Sequence, residues 1–252
     1  MAVGEYATLA LALTAGLSMM IYALLFARIA YLPEYYWQPL ATGKEVSLRL
    51  LDGGHGLVRA ELILSFIALG VLYYMGWKAA HYARGWLAWA VVLAGGLAFG
   101  LALLFMYPFG AADIADNILH ARIFVVYNGN PFINLIHSFP KDPFFVYTAW
   151  KDAPSAYGPL WELAAGLATK LAGNGIEANL IAFKALPGLF YLLSLPVAAL
   201  MLRRVTARPA LPALLLLAWN PLVLYEVWGN GHNDIMMAFF ILLAGWMVLE
   251  KH

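Results

Sequence analysis

The sequence predicts an all-α fold, a polytopic bundle of transmembrane helices. Hydrophobic residues make up 63% of the 252 residues and charged residues 12%, whereas soluble domains are nearer half apolar and a quarter charged. The runs 7–26 and 86–109 contain no charged residue, and each is long enough as a helix to cross a hydrocarbon core of about 30 Å. Spanning strands would alternate apolar and polar residues instead. The spans are therefore predicted to be helices.

Composition also excludes several classes of protein. The net charge of +1 argues against a nucleic-acid partner, which a basic patch or stripe would indicate. The chain has no cysteine, so it has no disulfide framework, thiolate metal site or thiol nucleophile. The first seven residues contain Glu5 and no Lys or Arg. A retained N-terminus is therefore predicted rather than a cleaved signal peptide.

The chain is predicted to form a single integral membrane domain, 1–252, in three parts. Residues 1–107 contain the first three helices, and residues 108–155 form a loop too long to be a mere connection. Residues 156–252 contain the remaining helices, one of which is interrupted by Asn220-Pro221. Together this is about six full spans and one short helix. The predicted helices are 6–31, 57–77, 86–107, 157–171 (the short one), 176–202, 210–228 and 235–249, and a polar connector occupies 33–55.

Basic residues in short loops predict the topology, because such loops stay in the cytoplasm. The linker 78–84, with Lys78 and Arg84, and the cluster 203–208, with three arginines, are both predicted to be cytoplasmic. The loop 108–155 and the polar segment 229–234 then lie outside the cell membrane. The two assignments agree only if 157–171 does not cross, and its roughly 15 residues reach only about 22 Å. A short or re-entrant helix is therefore predicted there.

The long loop is predicted to carry an interfacial helix with a polar stripe. Asp113, Asp116, Asn117 and His120 recur at positions i, i+3, i+4 and i+7, which places them on one helical face. Apolar residues take the opposite face. The alternative is a surface helix with an ordinary solvated side.

A second polar cluster surrounds Tyr157, between Ser155 and Gly158-Pro159. Proline in the first turn is ordinary helix-start chemistry. Tyr157 is equally typical of an aromatic anchor at the membrane interface.

The third cluster follows Pro221, which frees a backbone carbonyl inside a span. It consists of Glu226 and the polar segment 229–234. Polar groups at membrane depth are costly and indicate a functional site. In water the same segment would be a turn with Asp234 as the helix N-cap.

Together the three clusters resemble the GT-C glycosyltransferases, closest to the bacterial and archaeal polyprenyl-phosphate-mannose-dependent mannosyltransferases. The resemblance covers roughly 113–237, about half of the chain. The motifs that carry it are Asp113…Arg122…Asn130-Pro-Phe, Tyr157-Gly-Pro-Leu-Trp, Trp219-Asn-Pro-Leu-Val-Leu-Tyr-Glu226 and Gly229-Asn-Gly-His-Asn-Asp234.

The resemblance implies transfer of a hexose, usually mannose, from a polyprenyl-phosphate donor to an extracytoplasmic acceptor. Asp113 matches the acidic position of the family, and such transfer needs a base for the acceptor hydroxyl. Asp116 lies beside it as a second catalytic candidate, and Arg122 is expected to hold the lipid phosphate, with Lys141 and Lys151 as weaker candidates. Further candidate substrate-binding residues are His120, Asn130, Tyr157, Glu226, Asn230, His232, Asn233 and Asp234.

Two departures keep a rival function open. Family members usually continue with several more helices beyond the seventh apolar run, and Asp116 and His120 replace other residue types of the family. The rival is a non-catalytic, GT-C-derived subunit of a larger membrane complex. The expected partners are membrane lipids, the lipid-linked donor and, for the rival, other membrane subunits. Asp113 and Asp116 could also share Mg²⁺ or Mn²⁺. A channel or secondary transporter is disfavoured because no internal repeat is found.

Overall fold

A computed structural model describes residues 2–26, 56–108, 110–111, 113–205 and 210–250. Within these ranges the chain forms helices and turns without a β-strand, which confirms the predicted all-α class. The predicted connector 33–55 and Arg208 lie outside the described residues. The helices are α1 (Ala2–Ile21, continued by a π-helix at Tyr22–Phe26), α2 (Gly56–Ala80), α3 (Gly85–Leu104), α4 (Ile114–Val125), α5 (Pro159–Ala172), α6 (Ile176–Val205), α7 (Ala210–Ala218), α8 (Pro221–Leu224, continued by a π-helix at Tyr225–Asn230) and α9 (Asp234–Glu250). Two 3-10 turns, Ile136–Ser138 and Phe145–Tyr147, lie in the long loop.

Four helices of the described part are long and apolar enough to cross a membrane: Val3–Leu24, Ala60–Ala80, Gly85–Leu104 and Ile176–Val205. A bent pair, Ala210–Ala218 with Pro221–Asn230, meets at 42° and makes a fifth if it is counted as one span. The sixth predicted span corresponds to α9, which has 17 residues. The bundle of membrane helices is thus confirmed, with four or five full spans where about six were predicted.

Arg84 and Arg203 lie at one end of the bundle, here called the basic end. Gly4 at the start of α1 lies against the side chain of Arg84. The guanidinium of Arg203, near the end of α6, lies 5.8 Å from the ring of Trp89 near the start of α3. The start of α1, Arg84 and Arg203 therefore share one end.

The opposite end, here called the loop end, is where α3 stops. The buried Nζ of Lys184 on α6 donates to the carbonyls of Leu103 and Leu104, at 3.0 and 2.6 Å, and also to that of Met106. The last carbonyls of a helix have no partner within the helix, and here a lysine from a neighbouring helix supplies one. This contact fixes the point from which the long loop departs.

Two tryptophans pack against glycines in the middle of the bundle. The ring of Trp228 lies against Gly100 on α3 and Gly188 on α6. Trp219 lies against Gly95, and its indole donates to the carbonyl of Val92 at 2.8 Å. Small residues let helices approach closely where lipid gives no hydrophobic driving force.

The break at Pro221 leaves carbonyls that neighbouring helices satisfy. Tyr191 donates its hydroxyl to the carbonyl of Ala218 at 2.5 Å, and Tyr73 donates to that of Leu216 at 2.7 Å. Asn220 caps α8 by accepting from the two following amides at 3.0 and 3.3 Å. The polar backbone exposed by the break is therefore paired inside the protein, as membrane depth requires.

The short helix α5 lies beside α4 at the loop end. Tyr157, just before α5, contacts Asp113 at the start of α4. Asn174, just after α5, accepts from the Arg122 guanidinium near the end of α4 at 3.2 Å. Both ends of α5 thus lie against the loop half of the molecule. The short length of α5 predicted that it would not reach the basic end, and these contacts agree with that prediction.

Candidate active site

Asp113 stands at the centre of the polar groups at the loop end. It directly precedes α4, and its side chain is 34% exposed. The hydroxyl of Tyr157 donates to Oδ2 of Asp113 at 3.4 Å. Nε2 of His232 lies 3.9 Å from Oδ1 of the same carboxyl group. The start of α4, the start of α5 and the segment after α8 therefore meet at one carboxylate.

The polar segment 229–234 is held in place by Glu226. Its Oε2 accepts from the Asn230 side-chain amide at 2.9 Å and lies 2.7 Å from Nδ1 of His232. Oδ1 of Asn230 accepts from the backbone amide of Gly110 at 3.2 Å. Gly231 ends the π-helix with φ of +80°, a conformation that favours glycine. A Cβ at Gly231 would also come 2.9 Å from the side chain of Ile114.

His232 lies between two carboxyl groups. Oε2 of Glu226, at 2.7 Å from Nδ1, fixes the orientation of the His232 ring. Nε2 lies on the side of Asp113, 3.9 Å from its Oδ1. A protonated ring at this position can attract an anion that enters the site.

Tyr157 is kept as a neutral hydroxyl by its surroundings. Burial raises the pKa of Tyr157, and the nearby carboxylates Asp113 and Asp234 raise it further, while a hydrogen bond with Asn117 lowers it. Tyr157 is therefore a hydrogen-bond donor to Asp113 throughout the physiological pH range.

Asp234 is exposed and is the first residue of α9. Asn233 directly precedes that helix and accepts at its backbone carbonyl from the amide of Met236 at 2.9 Å.

Asp116 and His120 face the long loop instead of Asp113. Asp116 accepts from the backbone amides of Ala149 and Trp150 at 3.2 and 2.8 Å. His120 Nε2 lies 3.3 Å from the carbonyl of Ala153. Burial raises the pKa of Asp116, although the two amides oppose this, and burial lowers the pKa of His120. Because both residues are 4% exposed, this part of the polar stripe attaches the loop to α4 and is not a solvated face.

Arg122 is engaged in a buried ion pair. Its Nε donates to Oδ2 of Asp142 at 2.7 Å, with the two side chains 3% and 0% exposed. Asp142 also accepts from the hydroxyl of Tyr127 and the amide of Phe144, each at 2.9 Å. The Arg122 guanidinium lies 5.2 Å from the Phe144 ring. Through these contacts Arg122 stabilises the fold of the loop. It is not among the residues that meet at Asp113.

The predicted site residues thus divide into two groups. Asp113, Tyr157, Glu226, Asn230 and His232 are brought together, with Asp234 close enough to act on Tyr157. Asp116, His120, Arg122 and Asn130 are directed elsewhere, Asn130 by accepting from the amide of Phe132 at 2.9 Å in a local turn. Sequence reasoning missed Gly110, Asp142 and Lys184, whose contacts join residues 20 to 120 positions apart in sequence.

Metal binding at this site remains a prediction. Within the described ranges, no three or more His, Asp or Glu side chains are grouped so that they could hold a metal ion. If Asp113 and Asp116 shared Mg²⁺ or Mn²⁺, the ion would compete for the Asp116 oxygens with the two backbone amides that donate to them.

The fold and this site define a class of protein, a helical membrane protein with carboxylate and imidazole groups at one end of its bundle. The sequence profile of the α-(1→6)-mannopyranosyltransferase N-terminal domain matches residues 17–252. The chain belongs to this family, and the resemblance to polyprenyl-phosphate-mannose mannosyltransferases is confirmed at that level. No curated protein and no solved structure matches the chain. Family membership supports a mannosyltransferase function in a membrane setting.

Proposed function

We propose that the chain is the catalytic part of a mannosyltransferase that uses a polyprenyl-phosphate mannose donor and an acceptor outside the cytoplasm. The observation that carries this proposal is the meeting of Asp113, Tyr157 and His232 at the loop end of the bundle. A third of the Asp113 side chain is exposed, so a substrate hydroxyl can reach it. The family match supports mannose as the sugar.

The reaction forms a glycosidic bond and breaks the bond to the lipid phosphate. The acceptor oxygen attacks the anomeric carbon of mannose while Asp113 takes the proton of the acceptor hydroxyl. The bond between the anomeric carbon and the phosphate oxygen breaks, and its electron pair leaves with the phosphate. Tyr157 donates to Oδ2 of Asp113 and orients the carboxylate for this proton transfer.

His232 is the candidate partner for the departing phosphate. Its Nδ1 is held by Glu226 at 2.7 Å, and its Nε2 faces Asp113. A protonated Nε2 offers a charge-assisted hydrogen bond to a phosphate oxygen. Arg122, predicted for this role from the resemblance, has its guanidinium in the buried pair with Asp142. We therefore propose His232 in its place.

The location outside the cytoplasm rests on the separation of the two ends. Arg84 and Arg203 lie at the basic end, and short basic loops stay in the cytoplasm. Asp113 and the polar segment 229–234 lie at the loop end. A lipid-anchored donor presents its phosphate at the membrane surface, which suits a site at the end of a bundle.

One observation favours a second candidate function, that of a structural subunit. Four leucines on one side of α5 are 54% to 79% exposed: Leu160, Leu163, Leu167 and Leu171. Their spacing follows the helix period, so they form a continuous apolar row. Lipid or a helix of another subunit could cover this row.

The experiment is transfer of radiolabelled mannose from a polyprenyl-phosphate donor to a mannoside acceptor by the purified protein. We expect Asp113→Asn to lower the rate about 10²- to 10⁴-fold, because the base is lost while its size is kept. Asp152→Asn is the matched control, since Asp152 lies in the same loop with a side chain 88% exposed. Chelator is added in a parallel series. Its effect decides whether Mg²⁺ or Mn²⁺ takes part.

Two results would contradict the proposal. Undiminished transfer by Asp113→Asn would remove Asp113 from the role of base. A wild-type protein that transfers nothing from the donor would favour the structural subunit instead.

A further inference from the structure

A groove of about 800 Å³ lies at the basic end, on the opposite side of the bundle from the candidate active site. We call it the basic-end groove. It is bounded by the first turns of α1, the linker before α3 and the first turns of α3. Its volume is within the range of small-ligand pockets, roughly 300 to 1,000 Å³. No residue of the candidate active site lines it, and the proposed reaction gives it no role.

The side chains of the basic-end groove change from polar to apolar along its length. Glu5 and Arg84 line its mouth, whereas Leu9, Ala12 and Val91 line it one to two helical turns further along α1 and α3. Both helices are long and apolar enough to cross a membrane. The seven residues from Glu5 to Ala12 cover about 10 Å, about a third of a hydrocarbon core of about 30 Å. The groove therefore runs from the membrane surface to the depth of the acyl chains.

The groove is open along its length and not only at its mouth. Leu9 on α1 and Leu87 on α3 both line it and are 57% and 52% exposed. Tyr82 lines the mouth and is 62% exposed, and tyrosine is typical of the head-group level of a membrane. A ligand with a polar head and an apolar tail can thus enter sideways from the lipid layer.

Two opposite charges at the mouth are not paired with each other. The Arg84 guanidinium donates from Nη1 to the carbonyls of His81 and Ala83 at 2.9 and 3.0 Å, and no described residue accepts from its Nε or Nη2. The Glu5 carboxylate has no hydrogen bond or ion pair with any described residue. Free guanidinium donors suit a phosphate, and a free carboxylate accepts from an ammonium group. The two together fit a head group that carries both charges.

We propose that the basic-end groove binds one phospholipid with an ethanolamine head group. The phosphate accepts from Nε and Nη2 of Arg84, and the ammonium donates to the carboxylate of Glu5. One acyl chain lies along Leu9, Ala12 and Val91. Phosphatidylglycerol offers Arg84 the same phosphate, but its head group has no cation for Glu5. The bound lipid joins the start of α1 to the linker before α3.

The test adds phosphatidylethanolamine or phosphatidylglycerol with the same acyl chains to the delipidated full chain in detergent. Native mass spectrometry gives the dissociation constant of the first bound lipid. We expect the ethanolamine lipid to bind more tightly. Arg84→Gln should weaken its binding at least about fivefold, because a charge-assisted hydrogen bond is lost. Glu5→Gln should weaken binding of the ethanolamine lipid and not that of phosphatidylglycerol.

Lys78→Gln is the matched control, since it removes a positive charge from the last turn of α2, and Lys78 does not line the groove. Its binding of the ethanolamine lipid should equal that of the wild type. Ala12→Phe tests the acyl chain independently of the charges. Ala12 is exposed on α1, so the added ring fills the inner groove without disturbing the bundle. We expect weaker lipid binding and an unchanged melting temperature in detergent without added lipid.

Three results would overturn the proposal. The first is equal affinity of the wild type for the two lipids. The second is a dissociation constant for the ethanolamine lipid that neither Glu5→Gln nor Ala12→Phe changes, or that Lys78→Gln raises as much as Arg84→Gln does. The third is equally tight binding of glycerophosphoethanolamine, which has the same head group and no acyl chains, because the apolar part of the groove would then contribute nothing.

Discussion

Asp113 and Asp116 are three residues apart, yet their carboxyl groups have opposite surroundings. Asp113 is a third exposed and meets Tyr157 and His232. Asp116 is 4% exposed and accepts amides that lie 33 and 34 residues away in sequence. Helical spacing predicted that both would lie on one polar face. It could not predict that the loop returns to cover one of them, because that contact depends on the path of the whole loop.

Asp116→Asn is expected to reduce the pH dependence of stability. Burial raises the pKa of Asp116 in the folded state, so the folded protein binds more protons than the unfolded chain between the ordinary carboxyl pKa and the raised one. Stability should therefore fall as pH increases through that window. Asparagine has no such titration, and its single side-chain oxygen can accept from only one of the two amides, Ala149 or Trp150, that now donate to different oxygens of Asp116. Melting temperatures of both proteins from pH 4 to pH 8 check this.

Glu162 leaves part of the pH dependence in the Asp116→Asn variant, since burial raises the pKa of Glu162 too. Asp152→Asn serves as control because its side chain is 88% exposed. An Asp116→Asn protein whose melting temperature falls with pH as steeply as that of the wild type would contradict the prediction.

At the scale of elements, the helices themselves were easier to predict than their pairing. Long apolar runs and the short length of 157–171 predicted the spans and α5, whose ends both contact α4. The resemblance motifs predicted the polar segment after α8 as a site. The capping of α3 by Lys184 was not predictable, because a lysine 80 or 81 residues along carries no local signal for it. The same holds for the pair of Arg122 with Asp142.

Gly100→Ala is expected to destabilise the bundle by about 1–3 kcal/mol, as overpacking of a tight contact does. A Cβ at Gly100 would come 2.6 Å from the ring of Trp228, which also packs against Gly188 and therefore has no free direction in which to move. Gly16→Ala is the control, because no atom lies within 4 Å of a Cβ at that position on α1. Alanine favours a helix there, so Gly16→Ala should melt no lower than wild type. Thermal unfolding in detergent compares the two, and equal melting temperatures would contradict the packing argument.

At the scale of the molecule, the separation of basic end and loop end determines the expected orientation. Ser138 in the loop is exposed, and Tyr82 in the basic linker is 62% exposed. The chain has no cysteine, so Ser138→Cys and Tyr82→Cys each introduce a single thiol. We expect an impermeant maleimide to label the thiol at 138 in intact cells and the thiol at 82 only after permeabilisation. Labelling of both thiols from the same side would contradict the bundle, and the reverse pattern would place the site in the cytoplasm.

Segments of the chain that are far apart in sequence meet at the candidate site. Residues of the second part, such as Gly110 and Asp113, make their site contacts with residues of the third, such as Asn230 and His232. Charge distribution predicted that these segments would share one side of the membrane. It did not predict which carboxylate would face the imidazole, since that choice depends on side-chain packing around Gly231.

The contact of Lys184 with the end of α3 also limits how the length of that helix can change. Removing one residue from the middle of α3 would turn its later part by about 100° and shorten it by about 1.5 Å. The carbonyls of Leu103 and Leu104 would no longer accept hydrogen bonds from the Lys184 amino group. If the deletion lay before Gly100, that glycine would also no longer face Trp228. The buried amino group of Lys184 would then be left without partners, which costs more than a lost surface contact. The length of α3 is therefore constrained by the Lys184 contact at its end and by the packing of Gly100 against Trp228 within it.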